Sequence, residues 1–239
     1  MSVGSDRSRR TVADVLDPAL LSEPVLLSDV RVSSVPVDPV DEPLVDLRTV
    51  SGLRLNDLYS GDGSYVYVRK ALAERLASAQ EALPAGYAFM VYEGLRPQHL
   101  QELYFETYRA DLLASDPTLS DDECFRLTSR FTCPPDIAPH VSGAALDLTL
   151  CDGNGNELDL GTPINATPET SRGACYTAAA VDDSARRNRD VMGTALRSAG
   201  FVNYPTEWWH WSYGDRYWAW STGAEAALYG PVTLGWSTP

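Results

Sequence analysis

The sequence predicts a single α+β domain in which a central, mostly antiparallel sheet is flanked by helices. Segments with helical spacing of apolar residues lie before and after a set of short β-rich segments, whereas a parallel sheet would alternate strands and helices regularly. The chain has 239 residues, of which 44% are hydrophobic, and this is enough for one ordinary core. The chain contains no internal repeat that would indicate a solenoid.

The amino-terminal region differs in composition from the rest of the chain. Residues 1–17 carry charges without periodicity and are expected to form a frayed tail. Residues 18–43 contain five prolines among valines, which indicates extended chain or an edge strand rather than a helix. We therefore divide the chain into a polar tail and proline-rich extended arm, residues 1–43, which can cover the domain, and a folded domain, residues 44–239.

The first half of the domain begins with a short strand and a loop within residues 44–58, followed by a turn at residues 60–64. Apolar residues then recur at helical spacing from Tyr65 until Pro84-Ala85-Gly86 ends the pattern. Tyr87 to Tyr92 is rich in β-forming residues, and Pro97 opens a second amphipathic helix. A shorter helix is predicted at residues 121–130. The loop at Arg96 thus connects a strand to a helix.

The second half carries most of the predicted sheet. A strand is expected at residues 144–150, and it is closed by a glycine-rich turn at residues 152–156. After a long loop, Asp182-Asp183 can cap a helix that Gly200 ends. The last predicted elements are an antiparallel pair, residues 201–204 with residues 207–213, and a possible third strand at residues 217–220.

Charge and apolar runs exclude some partners. A net charge of -14 argues against nucleic acid and against an anionic membrane, because both would repel the average surface. No apolar run approaches the ~20 residues of a membrane span, and the polar start, Met1 to Arg10, favours a cytoplasmic protein. The four cysteines match no CxxC-type zinc site, so free buried thiols are expected, with two disulfides as the alternative in an oxidising compartment.

Two motifs pair an imidazole with a carboxylate. His140 and Asp147 lie seven residues apart around a glycine, and Glu207 and His210 lie three residues apart within an aromatic segment. Two imidazoles and one carboxylate, with one position left open, form a ligand set that suits catalytic zinc. Residues an odd number apart on a strand face opposite sides, so His140 and Asp147 can share an ion only if Ser142-Gly143 bends the chain. The alternative is four ordinary polar residues.

These motifs resemble the zinc signature of the VanX-type D-alanyl-D-alanine dipeptidases, which belong to the zinc D,D-peptidases that share a fold with the hedgehog signalling domain. The resemblance covers roughly residues 44 to 230. Further segments that carry it are Val45-Asp46-Leu47-Arg48, Tyr92-Glu93-Gly94-Leu95-Arg96-Pro97, Leu160-Gly161-Thr162-Pro163 and Asn188-Arg189.

The resemblance implies one zinc ion per chain, held by His140, Asp147 and His210. Glu207 would act as general acid and base on a zinc-bound water, in agreement with its spacing in HExxH proteases. Arg96 would stabilise the oxyanion, although its sequence context alone favours a solvated loop or a salt bridge to Glu93. The substrate would be a small peptide or amide. The third histidine, His99, is expected at the surface.

The expected substrate pocket departs from the family. Ala138 stands where these enzymes usually have serine, and Asn165 stands where they usually have an aspartate that binds the substrate ammonium. Both changes remove polar groups that grip a small zwitterionic dipeptide. Trp209 is also predicted to contribute to the pocket, although the tryptophans as a group are expected to pack rather than to stack on a sugar.

Three functions remain open from the sequence. The first is a zinc D-alanyl-D-alanine dipeptidase, and the second is a related zinc hydrolase for another amide, such as a blocked dipeptide or a specialised-metabolite intermediate. The third is a zinc-containing binding domain without activity. The presence of both Glu207 and Arg96 argues against the third, because a binding domain needs neither residue.

Overall fold

The computed structural model describes residues 24–58 and 61–232 and confirms the α+β fold class. The predicted tail, residues 1–17, lies outside the described residues. The helices are α1 Val30–Ser33, α2 Lys70–Glu81, α3 Gln98–Ser115, α4 Asp121–Thr128, α5 Asp183–Ser198 and α6 Arg216–Thr222. The strands are β1 Leu44–Asp46, β2 Arg54–Leu55, β3 Tyr67–Arg69, β4 Tyr87–Glu93, β5 Ala145–Asp152, β6 Val202–Asn203 and β7 His210–Ser212.

Five of these strands form the central sheet, in the order β2-β4-β5-β7-β6. Only β2 runs parallel to its neighbour, and the pairs β4–β5, β5–β7 and β6–β7 are antiparallel, as predicted. Strands β1 and β3 form a separate antiparallel pair. The long strand β5 therefore lies in the middle of the sheet, with β4 and β7 on its two sides.

The two faces of β5 have different environments. Leu146, Leu148 and Leu150 lie in the main hydrophobic core, which also includes side chains of α2 and α5. Because successive side chains of a strand point to opposite faces, Asp147 and Thr149 lie on the other face. Both are buried there, at 3% and 2% exposure. One face of the sheet thus builds the core and the other is free to present polar groups.

Within the folded domain, residues 44–239, two predicted elements differ from the structure. The helix expected from Tyr65 begins only at Lys70, because Tyr67–Arg69 pairs with β1 and contributes to a sheet. The strand expected at residues 217–220 is wrong, since this segment lies in helix α6. The Asp215 side chain accepts hydrogen bonds from the backbone N–H groups of Tyr217 and Trp218, which caps this helix.

The described part of the arm covers the domain. Leu27 and Val32 are buried in a cluster with Ala138 and Tyr204, on the side of the molecule next to Pro139–Ser142. Contrary to the expectation for this region, α1 is a short helix, and the Asp29 side chain caps it. All four cysteines are free and buried, as predicted. No helix among the described residues has the length and apolar content needed to cross a membrane.

The predicted bend between His140 and Asp147 occurs at Gly143. Residues Pro139–Ser142 form a 3-10 helix, and Gly143 then adopts φ 68° before β5 begins. A Cβ atom at this position would lie 2.7 Å from Leu44 Cδ2, so the close approach of β1 also requires glycine. The bend brings His140, which precedes β5, to the same side as Asp147.

We expect Gly143→Ala to lower the free energy of unfolding by at least ~1 kcal/mol, because alanine is strained at positive φ and would contact Leu44. Gly153→Ala is the matched control, since a Cβ atom there has no neighbour within 4 Å. Its effect should stay within ~0.5 kcal/mol, as for an ordinary surface position. Urea denaturation of the metal-free proteins measures both values. Equal losses in the two variants would contradict the assigned role of the bend.

Candidate metal centre

Three neighbouring strands place three functional side chains abreast. Asp147 in β5 pairs with His210 in β7 on one side and with Glu93 in β4 on the other. Directly opposed residues of paired strands have side chains on the same face, so the register alone brings these groups together. The register of β4 shifts between Val91 and Glu93, and this irregularity sets Glu93 opposite Asp147.

His140 completes the group from outside the sheet. Its Nε2 lies 3.3 Å from Asp147 Oδ1 and 3.2 Å from His210 Nδ1, and His210 Nδ1 lies 3.1 Å from Asp147 Oδ1. Its Nδ1–H donates to the Gly94 carbonyl oxygen at 2.7 Å. This bond places a proton on Nδ1 and turns Nε2 towards Asp147 and His210.

The chemistry of these three residues fits a bound cation. One ligand atom from each lies within 4.8 Å of the others, and all three residues are buried. Burial alone would raise the pKa of Asp147, yet the two imidazoles lower it well below its usual value. Burial also lowers the pKa of His210, which favours its neutral form. Burial alone would lower the pKa of His140, but the Asp147 carboxylate raises it. An ionised carboxylate and two imidazole nitrogens that converge in this way form the donor set that zinc prefers.

Glu207 lies beside this group, in the connection between β6 and β7. Its Oε2 is 3.8 Å from His210 Nδ1. The Asn203 side-chain amide donates to the backbone carbonyls of Glu207 and His210, both at 2.9 Å, and thereby holds the connection in shape. Burial, followed by the nearby Asp147 carboxylate, raises the pKa of Glu207 well above its usual value. A carboxyl group in this state can both accept and return a proton near neutral pH.

Arg96 is held at the opposite edge of the group. Its Nε donates to Glu93 Oε1 at 2.8 Å and its Nη2 to Glu93 Oε2, which forms a bidentate pair. Its Nη1 donates to Gln101 Oε1 at 2.8 Å, and its Nη2 lies 3.9 Å from Asp147 Oδ2. Of the alternatives considered from the sequence, the salt bridge to Glu93 occurs and the solvated loop does not, and Arg96 also lies next to the candidate metal centre.

These residues line one cavity with a volume of about 370 Å³. His140, Asp147, His210, Glu207 and Arg96 all border it, and Ala138 and Asn165 border it as well. His99 lies exposed on α3 and does not border it.

Trp209 is not part of the cavity wall, and we correct its predicted place. It is 1% exposed, lies in the main core and contacts the ring of Trp208 edge-on. Trp208 Nε1 donates to Thr162 Oγ1 at 2.8 Å, and Trp211 Nε1 donates to the Trp208 carbonyl at 3.0 Å. The tryptophans therefore anchor the Glu207 connection from behind, which agrees with the packing interpretation.

Some residues that contact or border the candidate centre could not be predicted from the sequence. Gln101 receives the Arg96 hydrogen bond, and its own Nε2 donates to the Cys133 carbonyl at 2.7 Å. Leu27 of the arm borders the cavity, and its N–H donates to the Tyr204 hydroxyl at 3.3 Å. The separation of these partners along the chain is large, so only the assembled fold brings them together.

Comparison with known proteins identifies a family and several relatives. The sequence model of the D-ala-D-ala dipeptidase family, Peptidase_M15, matches residues 56–222. A D-alanyl-D-alanine dipeptidase of Synechocystis is 28% identical over 218 residues, which cover 78% of this chain and 88% of that protein. A D-alanyl-D-alanine dipeptidase of Escherichia coli is 29% identical over 140 residues, which cover 59% of this chain and 61% of that protein.

A more distant likeness exists among solved structures. The structure of the LdcB LD-carboxypeptidase aligns with a TM-score of 0.39 and 18% identity, over 76% of this chain and 75% of that chain.

Proposed function

The chain belongs to the D-ala-D-ala dipeptidase family, and from this premise we propose that it is a zinc-dependent hydrolase of a small peptide or amide. The observation that carries the proposal is the convergence of His140, Asp147 and His210 with Glu207 and Arg96 around one cavity. Amide hydrolysis needs a nucleophilic water, a stabilised oxyanion and a protonated leaving amine. The cavity holds a group suited to each requirement.

His140, Asp147 and His210 would hold the zinc ion through Nε2, a carboxylate oxygen and Nδ1. When bound, zinc lowers the pKa of a coordinated water towards ~7 and polarises a carbonyl group. The Gly94 carbonyl orients His140, and the backbone pairing of β5 with β7 orients the other two ligands. These contacts hold the ligands in place before an ion binds, which reduces the cost of ordering them.

Glu207 would transfer the proton. It would accept a proton from the attacking water and deliver it to the departing nitrogen. Two contacts favour this role. The Asn203 side chain fixes the backbone at Glu207, and the following residue, Trp208, is anchored by its hydrogen bond to Thr162. Burial disfavours the charged carboxylate and raises the pKa of Glu207, so the protonated form that arises when it accepts the proton is stabilised.

Arg96 would stabilise the negative charge that develops on the substrate oxygen. A bidentate pair with Glu93 and a hydrogen bond to Gln101 keep its guanidinium in one orientation at the cavity wall. Such a fixed donor needs little reorganisation during the reaction, and removal of a comparable donor typically costs ~3 to 4 kcal/mol of transition-state stabilisation. A binding domain without activity has no use for this arrangement.

A changed substrate is favoured over plain D-alanyl-D-alanine by two residues of the cavity. Ala138 and Asn165 border it, and the resemblance relates these positions to a serine and to an ammonium-binding aspartate. A neutral amide at residue 165 lacks the charge that attracts a free α-ammonium. We therefore propose that the enzyme acts on a peptide or amide whose reacting residue carries a blocked nitrogen.

The metal assignment predicts that the purified protein carries about one zinc per chain. His140→Ala, Asp147→Ala and His210→Ala should each lose the metal, because two remaining ligands bind zinc too weakly. His99→Ala is the control, since this histidine is exposed on α3 and should leave zinc content unchanged. Elemental analysis after dialysis measures the content. Full zinc occupancy in His210→Ala would refute the proposed ligand set.

The assigned roles predict loss of activity with retained metal. Glu207→Gln should lower kcat at least ~100-fold, because an amide of similar shape cannot accept the proton. Arg96→Lys should also lower kcat, since a lysine ammonium cannot keep the bidentate contact with Glu93. Arg187→Lys, at an exposed position of α5, is the control for the second change. A parental rate in Glu207→Gln would assign the base to another residue.

The neutral Asn165 predicts poor hydrolysis of free D-alanyl-D-alanine relative to its N-acetyl form. Asn165→Asp should shift the preference towards the free dipeptide by about thirty-fold in kcat/KM, which corresponds to ~2 kcal/mol for a charge-assisted hydrogen bond. Asn154→Asp adds the same charge at an exposed turn and should not change the preference. A parent enzyme that prefers the free dipeptide would be a plain dipeptidase.

A further inference from the structure

One face of helix α5 carries three arginines that border a second cavity, with a volume of about 360 Å³. Arg186, Arg189 and Arg197 lie on this face because they are three and eight positions apart. The second cavity shares no lining residue with the cavity at the candidate metal centre. It lies on the other side of β7, since Trp211 borders it and the preceding His210 points to the metal centre.

The three guanidinium groups have no carboxylate partner among the described residues. Arg186 and Arg189 donate to backbone carbonyl oxygens, and Arg197 lies over the ring of Trp211, with its Cζ 5.5 Å from the ring centroid. Asp190 also borders the cavity, but it is exposed and forms an ion pair with none of them. Positive charge is therefore concentrated at this cavity in a chain whose net charge is -14.

Arg189 makes the lack of a carboxylate costly, because this residue is only 4% exposed. Its guanidinium donates, at 2.7 to 2.8 Å, to the backbone carbonyl oxygens of Leu160, Ala174 and Tyr176. Burial, followed by the positive charge of Arg186, lowers the pKa of Arg189 to about 10, although Asp159 acts in the opposite direction. The carbonyl dipoles hold the group but supply no negative charge, so an anion at the cavity would stabilise it.

Gly193 leaves room for the third guanidinium. It lies four residues before Arg197 within α5, and a Cβ atom on it would be 2.6 Å from Arg197 Nη2. Glycine in the interior of a helix is unfavourable relative to alanine. The residue that weakens the helix is therefore the one that allows Arg197 to lie against the helix at this cavity.

We propose that this cavity binds a phosphate group through Arg186, Arg189 and Arg197. Three guanidinium groups offer more donors and more charge than the two oxygens of a carboxylate can use, whereas a phosphate group has at least three acceptor oxygens and up to two negative charges. The cavity has room for inorganic phosphate or a small phosphate ester. The site is independent of the proposed hydrolase function, because the two cavities are separate.

A phosphate group here would bind next to the support of Glu207. Asn203 and Trp208 border the second cavity, and both hold the connection that carries Glu207, through the Asn203 amide and the hydrogen bond from Trp208 to Thr162. A ligand that binds only the folded protein raises its stability. The melting temperature should therefore increase with phosphate concentration.

Calorimetry with the zinc-loaded full chain tests the site with sodium phosphate, glycerol 3-phosphate and sodium acetate. One phosphate should bind per chain, and acetate should bind about tenfold more weakly or less, because it has one charge and two oxygens. Tighter binding of phosphate would identify the free ion as the ligand, and tighter binding of glycerol 3-phosphate would identify an ester. Acetate binding as tight as that of phosphate, or no phosphate binding, would overturn the inference.

Arg197→Gln should weaken phosphate binding about fivefold, as expected for the loss of one solvent-accessible charge. Arg187→Gln is the matched control, because Arg187 is exposed on the same helix and does not border the cavity. It should keep the parental affinity. His210→Ala, which should lack zinc, should also bind phosphate as the parent does. Loss of phosphate binding in His210→Ala with parental affinity in Arg197→Gln would assign the anion to the metal centre and overturn the inference.

Gly193→Ala separates phosphate binding from stability. Alanine favours the helix, so the melting temperature without phosphate should stay the same or rise. The added Cβ atom should displace the Arg197 guanidinium and weaken phosphate binding about as much as Arg197→Gln does. A purely structural role of Arg197 predicts no such loss of affinity in a protein of parental stability. Parental affinity in both Gly193→Ala and Arg197→Gln would therefore refute the site.

Discussion

The register of three strands is the constraint on which the centre depends. Asp147 is opposite His210 in one neighbouring strand and opposite Glu93 in the other, so one row of the sheet supplies two of the proposed metal ligands and the anchor of Arg96. A shift of β5 by one residue would exchange its faces and move Asp147 into the core. The leucines at positions 146, 148 and 150 prevent this shift, because their burial requires the present register. Core packing therefore determines the geometry of the polar face.

The same region of the molecule concentrates buried negative charge. Asp147, Glu207 and Glu93 are each at most 5% exposed, whereas Arg96 is, among the described residues, the one permanent cation that contacts this group. Isolation of carboxylates from water is costly unless cations compensate them. A divalent ion between His140, Asp147 and His210 would offset much of that cost, so metal binding would also stabilise the fold. Glu207 Oε2 lies 3.8 Å from His210 Nδ1, beyond hydrogen-bond distance, which would leave its carboxyl group available for proton transfer.

Local patterns predicted the parts of the fold that local interactions determine. Proline and glycine marked the ends of helices, and the odd spacing between His140 and Asp147 required the bend that Gly143 supplies. The start of α2 and the conformation of residues 217–220 were predicted wrongly, because pairing with β1 and capping by Asp215 decide them. Gln101 could not be assigned to the cavity from the sequence, since its place depends on how α3 lies against distant segments. The ligand set itself was readable only through the family resemblance, as the two motifs alone are short.

The distribution of charge along the cavity indicates how binding energy would be used. Arg96, which its bidentate pair with Glu93 holds in one orientation, would interact with negative charge that exists only while the reaction proceeds. Such an interaction would stabilise the transition state more than the ground state and so raise kcat. A further carboxylate next to the scissile bond would place another negative charge beside Asp147 and oppose the developing oxyanion. Ala138 and Asn165, which border the same cavity, add no charge there, so changes at these two positions can alter substrate selection without cost to the chemical step.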